Sequence, residues 1–360
     1  MAQPDWMAEY QDKRLADLIM PGAHDAGTAR GHIDLTRFGT NSNSATQEST
    51  ITEMLGIGTR FFDVRLKARN NTVVAHHTTA GQGAHSQITV DQVLRDAADF
   101  CHDHAGEVVI FRISHTAAGT NVTQIVRNSA AAQLSVATGN LCMMTLAQIR
   151  AGGGGLVCVF AEKEFGGVIN QAQGLHGFSK YKDSAPTNDH GLSICGCYEG
   201  THTLHKVITN GLKGQYEHNV KHGHRQEHLW QVYWQKTYGN PCSFTGIERG
   251  TKKAVTQTDS KWWNRGAKTH GSTHAGTDYL IHLMQGHDPH GNEDFTLKKR
   301  RLGRNVMYST LGVRQYSLPN IISYDFVNEE VNDKIIALNT QNLQAVPDED
   351  AHPGIGVEEI

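Results

Sequence analysis

The 360-residue chain lacks an apolar run long enough to cross a bilayer, and its start, Met1–Tyr10 with Asp5 and Glu9, lacks a basic stretch leading into an apolar one. Neither a spanning helix nor a classical secretory signal is expected, which leaves a cytoplasmic protein, a mature form, or export by another route. Cysteine is sparse: Cys101, Cys142, Cys158, Cys195, Cys197 and Cys242 are too few and too scattered for a disulfide framework in a chain of this length. A net charge of -3 provides no basic field, so nucleic acid is not an expected partner. Internal repeats and low-complexity tracts are absent as well. What remains, 38% hydrophobic and 19% charged residues, is the balance of a globular chain with enough apolar surface for a sizeable core.

Histidine is abundant, with 22 copies, and invites a metal reading. His218, His222, His224 and His228 fall at helix-compatible spacing, yet no cysteine or glutamate completes a zinc signature. A solvated polar segment is the simpler reading there, and His287-Asp288 with His290 reads as a loop; no metal or cofactor is expected. Lys298–Arg301 and Trp262-Trp263 would suit transient contact with a membrane surface. A solvated charge run is the commoner outcome for the first, and a half-buried core pair accounts for the second at least as well.

Along the chain, short apolar runs alternate with helical patterns. Strands are expected over Arg14–Ala23, Thr59–Leu66, Thr72–His77, Glu107–Ser114, Gly155–Ala161, Leu229–Gln235 and Asn320–Asp325. Thr89–His104 reads as a helix opened by a Thr89/Gln92 capping box, with Val90, Val93, Leu94, Ala97 and Cys101 on one face. Helical patterns also cover Asn121–Leu134 and the stretch from Asn328, where Val331, Ile335 and Leu338 share a face. The Gly/His/Asn/Ser-rich stretch from about 164 to 225 carries no regular pattern and is expected to be an irregular insertion. Residues 341–360 read as an acidic, mobile tail. Such alternation implies parallel β/α units, closed as a barrel or open as a doubly wound sheet.

The polar residues fall where a barrel would use them. The strands run into His24-Asp25, Asp63 and Arg65, His76-His77, Ser114-His115, Glu162, Gln235-Lys236 and Asp325. Catalytic groups of (β/α) barrels come from the C-terminal ends of several strands. Two histidines and an arginine converging on one mouth suit phosphoryl transfer. One imidazole takes a proton from the attacking hydroxyl and the other gives one to the leaving oxygen. The guanidinium forks onto phosphate oxygens. Asp25 and Asp325 are the candidates for orienting the imidazoles, and Asp63, on the same strand face as Arg65, is the candidate for holding that arginine. His76 is expected to point away from the mouth, because strand neighbours alternate faces.

Leu18-Ile-Met-Pro-Gly-Ala-His-Asp-Ala-Gly-Thr28, Gly58-Thr-Arg-Phe-Phe-Asp-Val-Arg-Leu66 and Val73-Val-Ala-His-His77 resemble the X domain of phosphatidylinositol-specific phospholipase C. They are more similar to the bacterial, metal-independent members. Glu107–His115 and Pro319–Asn339 fit further strands of that family. The resemblance implies a single-domain distorted TIM-type β/α barrel over residues 1–340. It implies that His24 is a general base bonded to Asp325, and that His77 is a general acid supported by Asp25. Arg65 stands where metal-dependent relatives carry a calcium-binding acid, which implies catalysis without calcium. The implied reaction is attack of the inositol 2-hydroxyl on phosphorus, releasing diacylglycerol and a cyclic inositol phosphate, with a phospholipid or inositol phosphodiester as partner. The pattern departs at Thr78, where relatives tend to have Gly, and at Ser114-His115, which replace a lysine and a nearby acid. Glu162-Lys163 also stand where a basic residue is expected. Ser114, His115, Glu162, Lys163, Gln235 and Lys236 are the candidates for substrate contact. The competing readings are a metal-dependent glycerophosphodiesterase-like hydrolase on the same barrel and a non-catalytic lipid-binding relative.

Overall fold

The computed structural model describes residues 4–37, 39, 44–79, 82–116, 121–181, 191–196, 227–234 and 319–340. Eight strands form a closed parallel ring: β1 (Met20–Ala23), β3 (Phe61–Arg69), β6 (Val109–Ser114), β7 (Leu156–Ala161), β8 (Leu175–Tyr181), β9 (Gly191–Cys195), β10 (Leu229–Tyr233) and β11 (Ile321–Tyr324). Each pairs with the next, and β11 returns to β1 through Met20↔Ile321 to Ala23↔Tyr324. Closure leaves the ring without a free edge. It is the TIM-type barrel expected, rather than the open sheet.

Side-chain alternation sorts each strand into two cores. Phe62, Phe111, Cys158, Phe160, Trp230 and Ile322 pack outward against helix α2 (Val90–Asp103) and its neighbours α1 (Ile51–Gly56), α3 (Val122–Ala130) and α6 (Glu329–Ala337). Phe61, Ile110, Val157, Val159, Ile194 and Ile321 pack in a second cluster with Trp6, Met7 and Leu15 of the N-terminal segment. That cluster is the barrel interior and its floor. Read along the strands, the inward positions turn polar toward the C-terminal ends: Phe61, Asp63, Arg65 on β3; Ile110, Arg112, Ser114 on β6; Leu229, Gln231, Tyr233 on β10. The apolar floor excludes water below, and the polar groups line a mouth above.

The Thr72–His77 run is no barrel strand. Asn70 and Asn71 both have positive φ, 47° and 61°, between the paired Arg69 and Thr72. This is the sign pattern of the two-residue hairpin turn whose twist matches that of strands, and asparagine tolerates it. The chain therefore folds back antiparallel as β4 (Thr72–Thr79), β5 (Gln82–Thr89) and the short β2 (Ile33–Leu35), an arm extending from β3.

Three further expectations are corrected. The first strand begins at Met20, because Leu15–Asp17 curl into a 3-10 turn held by the Arg14 fork onto Asp17 at 2.7 and 2.8 Å. The stretch expected to be irregular holds β8 and β9; His176 there is buried, its Nε2 2.8 Å from the Ser135 carbonyl oxygen, so a polar residue occupies a core position with its partner supplied. Thr89 caps α2 by accepting from the Gln92 N–H, but the Gln92 side chain turns to Asp96 at 2.6 Å instead of closing the box.

Candidate active site

His24 and Asp25 follow β1 directly, at the C-terminal edge of the ring. Asp25 has φ 44°, which turns its carboxylate back into the mouth. Gly27 makes that turn possible: a Cβ there would lie 2.0 Å from the Ala75 Cβ, so only glycine lets the turn press against β4. The turn is fixed from behind by a strap, residues 44–47. Thr46 Oγ1 donates to the Asp25 carbonyl at 2.7 Å, and buried Gln47 donates from Nε2 to the His24 carbonyl at 2.8 Å while its Oε1 accepts from the Val327 N–H at 3.0 Å. The strap thus ties the end of β1 to the end of β11.

Asp325, just past β11, meets the base-side imidazole: His24 Nδ1 lies 2.9 Å from Asp325 Oδ1, so Nδ1–H donates to the carboxylate and Nε2 faces the mouth. His24 Nε2 and His77 Nε2 each lie 3.5 Å from the same atom, Asp25 Oδ2. Arg65 Nε lies 2.7 Å from Asp25 Oδ1, an ion-pair contact. His77, delivered by β4 of the antiparallel arm, has Nδ1 3.3 Å from the Ser44 carbonyl oxygen, an acceptor suited to an Nδ1–H. The structure therefore brings His24, Asp25, Arg65, His77 and Asp325 together around one carboxylate.

Asp63 does not hold Arg65. Its carboxylate pairs with Arg112, at 2.7 Å from Nη2 and 3.2 Å from Nε, because Asp63 and Arg112 are register partners on adjacent strands. Arg112 Nη1 also donates to the Tyr233 hydroxyl at 2.7 Å and to Gln231 Oε1 at 3.0 Å. The Tyr233 ring stands edge-on to the His24 ring, 6.0 Å between centroids.

The electrostatics follow from these contacts. Burial opposes charge on His24, but the Asp25 and Asp325 carboxylates outweigh it and raise the imidazole to about 9. Burial likewise opposes the Asp25 anion; His24, His77, Arg65 and Arg112 outweigh it and hold the carboxyl below its ordinary value. Arg112 is raised, since Asp63 and Tyr233 overcome its burial. His76 shows the contrast: on the opposite face of β4, opposite His85, its burial drives it down to about 4.

The remaining candidates are placed unevenly. Ser114 is buried opposite Arg65 in the β3–β6 register. His115 is exposed, and its backbone N–H and that of Thr116 each donate to Glu164 at 2.9 Å, from the short helix α5 (Glu162–Phe165) after β7. Glu162 opens that helix half-buried; Lys163 lies in it, with its side chain outside the described residues. Gln235, Lys236, Lys298–Arg301, Trp262-Trp263, His218, His222, His224, His287-Asp288 and His290 also lie outside them, as do residues 341–360. His228 is buried just before β10.

Sequence reading overlooked Arg112, Gln231, Tyr233 and the strap. For the first three a signal existed: Arg112 interrupts an apolar strand at the parity of Ser114, and Gln231 and Tyr233 alternate with Trp230, Val232 and Trp234. The strap is a plain polar loop in sequence and gave none.

No family model matches the chain. A PI-PLC X-box domain-containing protein of Dictyostelium discoideum is 24% identical over 122 residues, 31% of this chain, and the match spans only 16% of that relative's length. Among solved structures, phosphatidylinositol-specific phospholipase C of Staphylococcus aureus superposes with a TM-score of 0.54 at 14% identity, over 93% of this chain and 97% of that one. The Listeria monocytogenes enzyme of the same name gives 0.50 at 14%, over 94% and 99%. The fold of this chain is that of the bacterial phosphatidylinositol-specific phospholipases C, the family its motifs resemble.

Proposed function

We propose that this chain cleaves a phosphodiester of the inositol-phospholipid type by acid–base catalysis at His24 and His77. The observation that supports this best is the pair of Nε2 atoms flanking one oxygen of Asp25, with a guanidinium on the other oxygen. In the reaction, His24 Nε2 takes the proton of the inositol 2-hydroxyl as its oxygen bonds to phosphorus. The bond from phosphorus to the diacylglycerol oxygen breaks, and His77 Nε2 returns a proton to that oxygen. The products are diacylglycerol and a cyclic inositol phosphate. Arg65 is about a quarter exposed, and among the described residues only its Nε is engaged, which leaves its outer nitrogens for the phosphate oxygens. Asp325 fixes the His24 tautomer and Asp25 orients both imidazoles; these are positioning residues. Ser114, opposite Arg65 at the end of β6, and Glu162, directly after β7, are the candidates for contact with head-group hydroxyls. The lipid would be met transiently at a membrane surface.

A second reading, the metal-dependent hydrolase, has one observation in its favour: side-chain atoms of His24, Asp25 and Asp63 lie within 4.8 Å of one another. Against it, Arg65 already contacts Asp25 and Arg112 both oxygens of Asp63, so arginine supplies the positive charge here. Phosphorus NMR with phosphatidylinositol in excess EDTA tests the assignment. The expected result is a cyclic phosphate signal. Turnover that EDTA abolishes and added metal restores favours the hydrolase, and lipid binding without turnover favours a non-catalytic relative.

A further inference from the structure

Beneath the catalytic groups lies a second polar layer that the reaction as written does not use. It comprises Asp63 on β3, Arg112 on β6, and Gln231 and Tyr233 on β10, all buried. A charged layer inside a barrel is costly unless it is paired. Here the pairing is directional. The Arg112 fork covers Asp63, and its remaining nitrogen reaches the Tyr233 hydroxyl and Gln231. An Asp63 carboxylate oxygen lies within 4.8 Å of a ring nitrogen of His24 and of a carboxylate oxygen of Asp25.

We propose that Arg112 is a positioning residue whose guanidinium holds the Asp63 carboxylate and the Tyr233 hydroxyl, and so fixes both the charge and the ring packing around His24. This role rests on the reading of His24 as the base, but its physical content does not. The groups facing His24 are Asp25 from its own turn, Asp325 after β11, Asp63 from β3 and Tyr233 from β10. His77 and Arg65 act on it through Asp25. Among the described residues, four oxygen-bearing groups thus surround one imidazole, and only Arg112 offsets the one on β3. Without it, Asp63 is a bare buried carboxylate beside another. The site must then take up a proton more readily, at His24 or at Asp63 itself. Lysine would keep the charge but cannot span Asp63, Gln231 and Tyr233 together.

The test is an NMR titration of the His24 ring and the Asp63 carboxyl carbon in the full chain, with kcat and KM measured alongside. In Arg112→Met, one of the two midpoints should rise so that proton affinity increases about tenfold, one pH unit. In Arg112→Lys the midpoints should stay near those of the unaltered protein, while kcat drops roughly tenfold with KM little changed, because the Tyr233 tether is lost. Where it is the His24 midpoint that rises in Arg112→Met, adding Asp63→Asn should return it toward its starting value. Unchanged midpoints in Arg112→Met overturn the proposal, as does a raised His24 midpoint that persists in the double variant. If Arg112→Met does not fold, Asp63→Asn alone decides: the proposal requires a lower His24 midpoint, and an unmoved one overturns it. These titrations need no turnover, so loss of the phospholipase reading would show in the NMR product assay and leave them intact.

Discussion

Among the described residues, two arginine–carboxylate pairs have both partners buried, one at each end of the barrel, and they are built differently. At the floor, just before β3 and β6, Arg60 Nε lies 2.6 Å from Glu107 Oε2. Its other nitrogens donate to the carbonyls of Leu55, Thr59 and Pro4, and Glu107 Oε1 accepts from the Met7 N–H. Burial dominates there, lowering Arg60 and raising Glu107, each toward its neutral form. At the mouth the outcome reverses despite burial: Arg112 is raised by Asp63 and the Tyr233 hydroxyl, and Asp25 is lowered by the several cations that face it. The floor pair is closed on itself and on backbone, and its work is to seat the N-terminal segment. The Asp25 carboxylate at the mouth is shared among cations, so moving a proton there changes the others. Sharing of that kind is what acid–base chemistry requires, and saturation is what a structural pair requires.

The largest effect expected from this contrast is catalytic. His24→Ala and His77→Ala should each lower phosphatidylinositol turnover about 10²–10⁴-fold while the circular dichroism spectrum of the folded protein is kept. Full activity in both variants would sink the assignment. Breaking the floor should do the opposite. Arg60→Met leaves Glu107 buried without its cation and should cost about 3–5 kcal/mol of stability by denaturant titration. The pH–rate profile of the surviving folded fraction should not move. A shifted profile would mean that the two ends are electrically coupled.

His24 itself ties stability to pH. Its imidazole is raised from the ordinary 6.5 to about 9, so folding favours the charged form. The resulting stabilisation is fully present below pH 6.5 and is lost as pH rises through 9, on the order of 3 kcal/mol. Chemical denaturation from pH 6 to 9.5 should show that decline, and His24→Gln should remove most of it. A flat curve in the unaltered protein would mean that the carboxylates around His24 do not hold its proton.

How legible was this in the sequence? The barrel was, because Val109–Ser114 and Leu156–Ala161 read as buried runs between helical patterns, and buried parallel strands have that look. The antiparallel arm was not, although Asn70-Asn71 marks its turn; the alternating rule for β/α units suppressed a hairpin that the asparagines permit. β8 and β9 escaped because His176, Gly177 and Ser179 dilute the apolar pattern, and only Ser135 across the fold makes His176 a core residue. In the site, chemistry at strand ends could be read locally. Pairing could not. Asp63 was assigned to Arg65 by same-face spacing, whereas the inter-strand register gives it to Arg112. A strand's sequence shows which side chains share a face; it does not show what the neighbouring strand sets against them.

Asp325→Asn gives the finest cut between orientation and charge. The asparagine can still accept from His24 Nδ1–H if its amide oxygen takes the place of Oδ1, so the tautomer and the ring position are kept. What disappears is one of the three carboxylates raising His24, the others being Asp25 and Asp63. In the empty site of the unaltered protein His24 is charged at neutral pH, so kcat/KM should climb with pH toward about 9 as the base form appears. In Asp325→Asn that limb should move down toward 6.5. The plateau should fall by about tenfold to a hundredfold, because a less basic imidazole accepts the hydroxyl proton less readily. Near neutrality the two changes oppose each other, so a single-pH assay there would understate the role of Asp325. A profile whose limb stays put while its plateau drops would show that Asp325 acts on the ring by position alone. The shared charge at the mouth would then reside in Asp25.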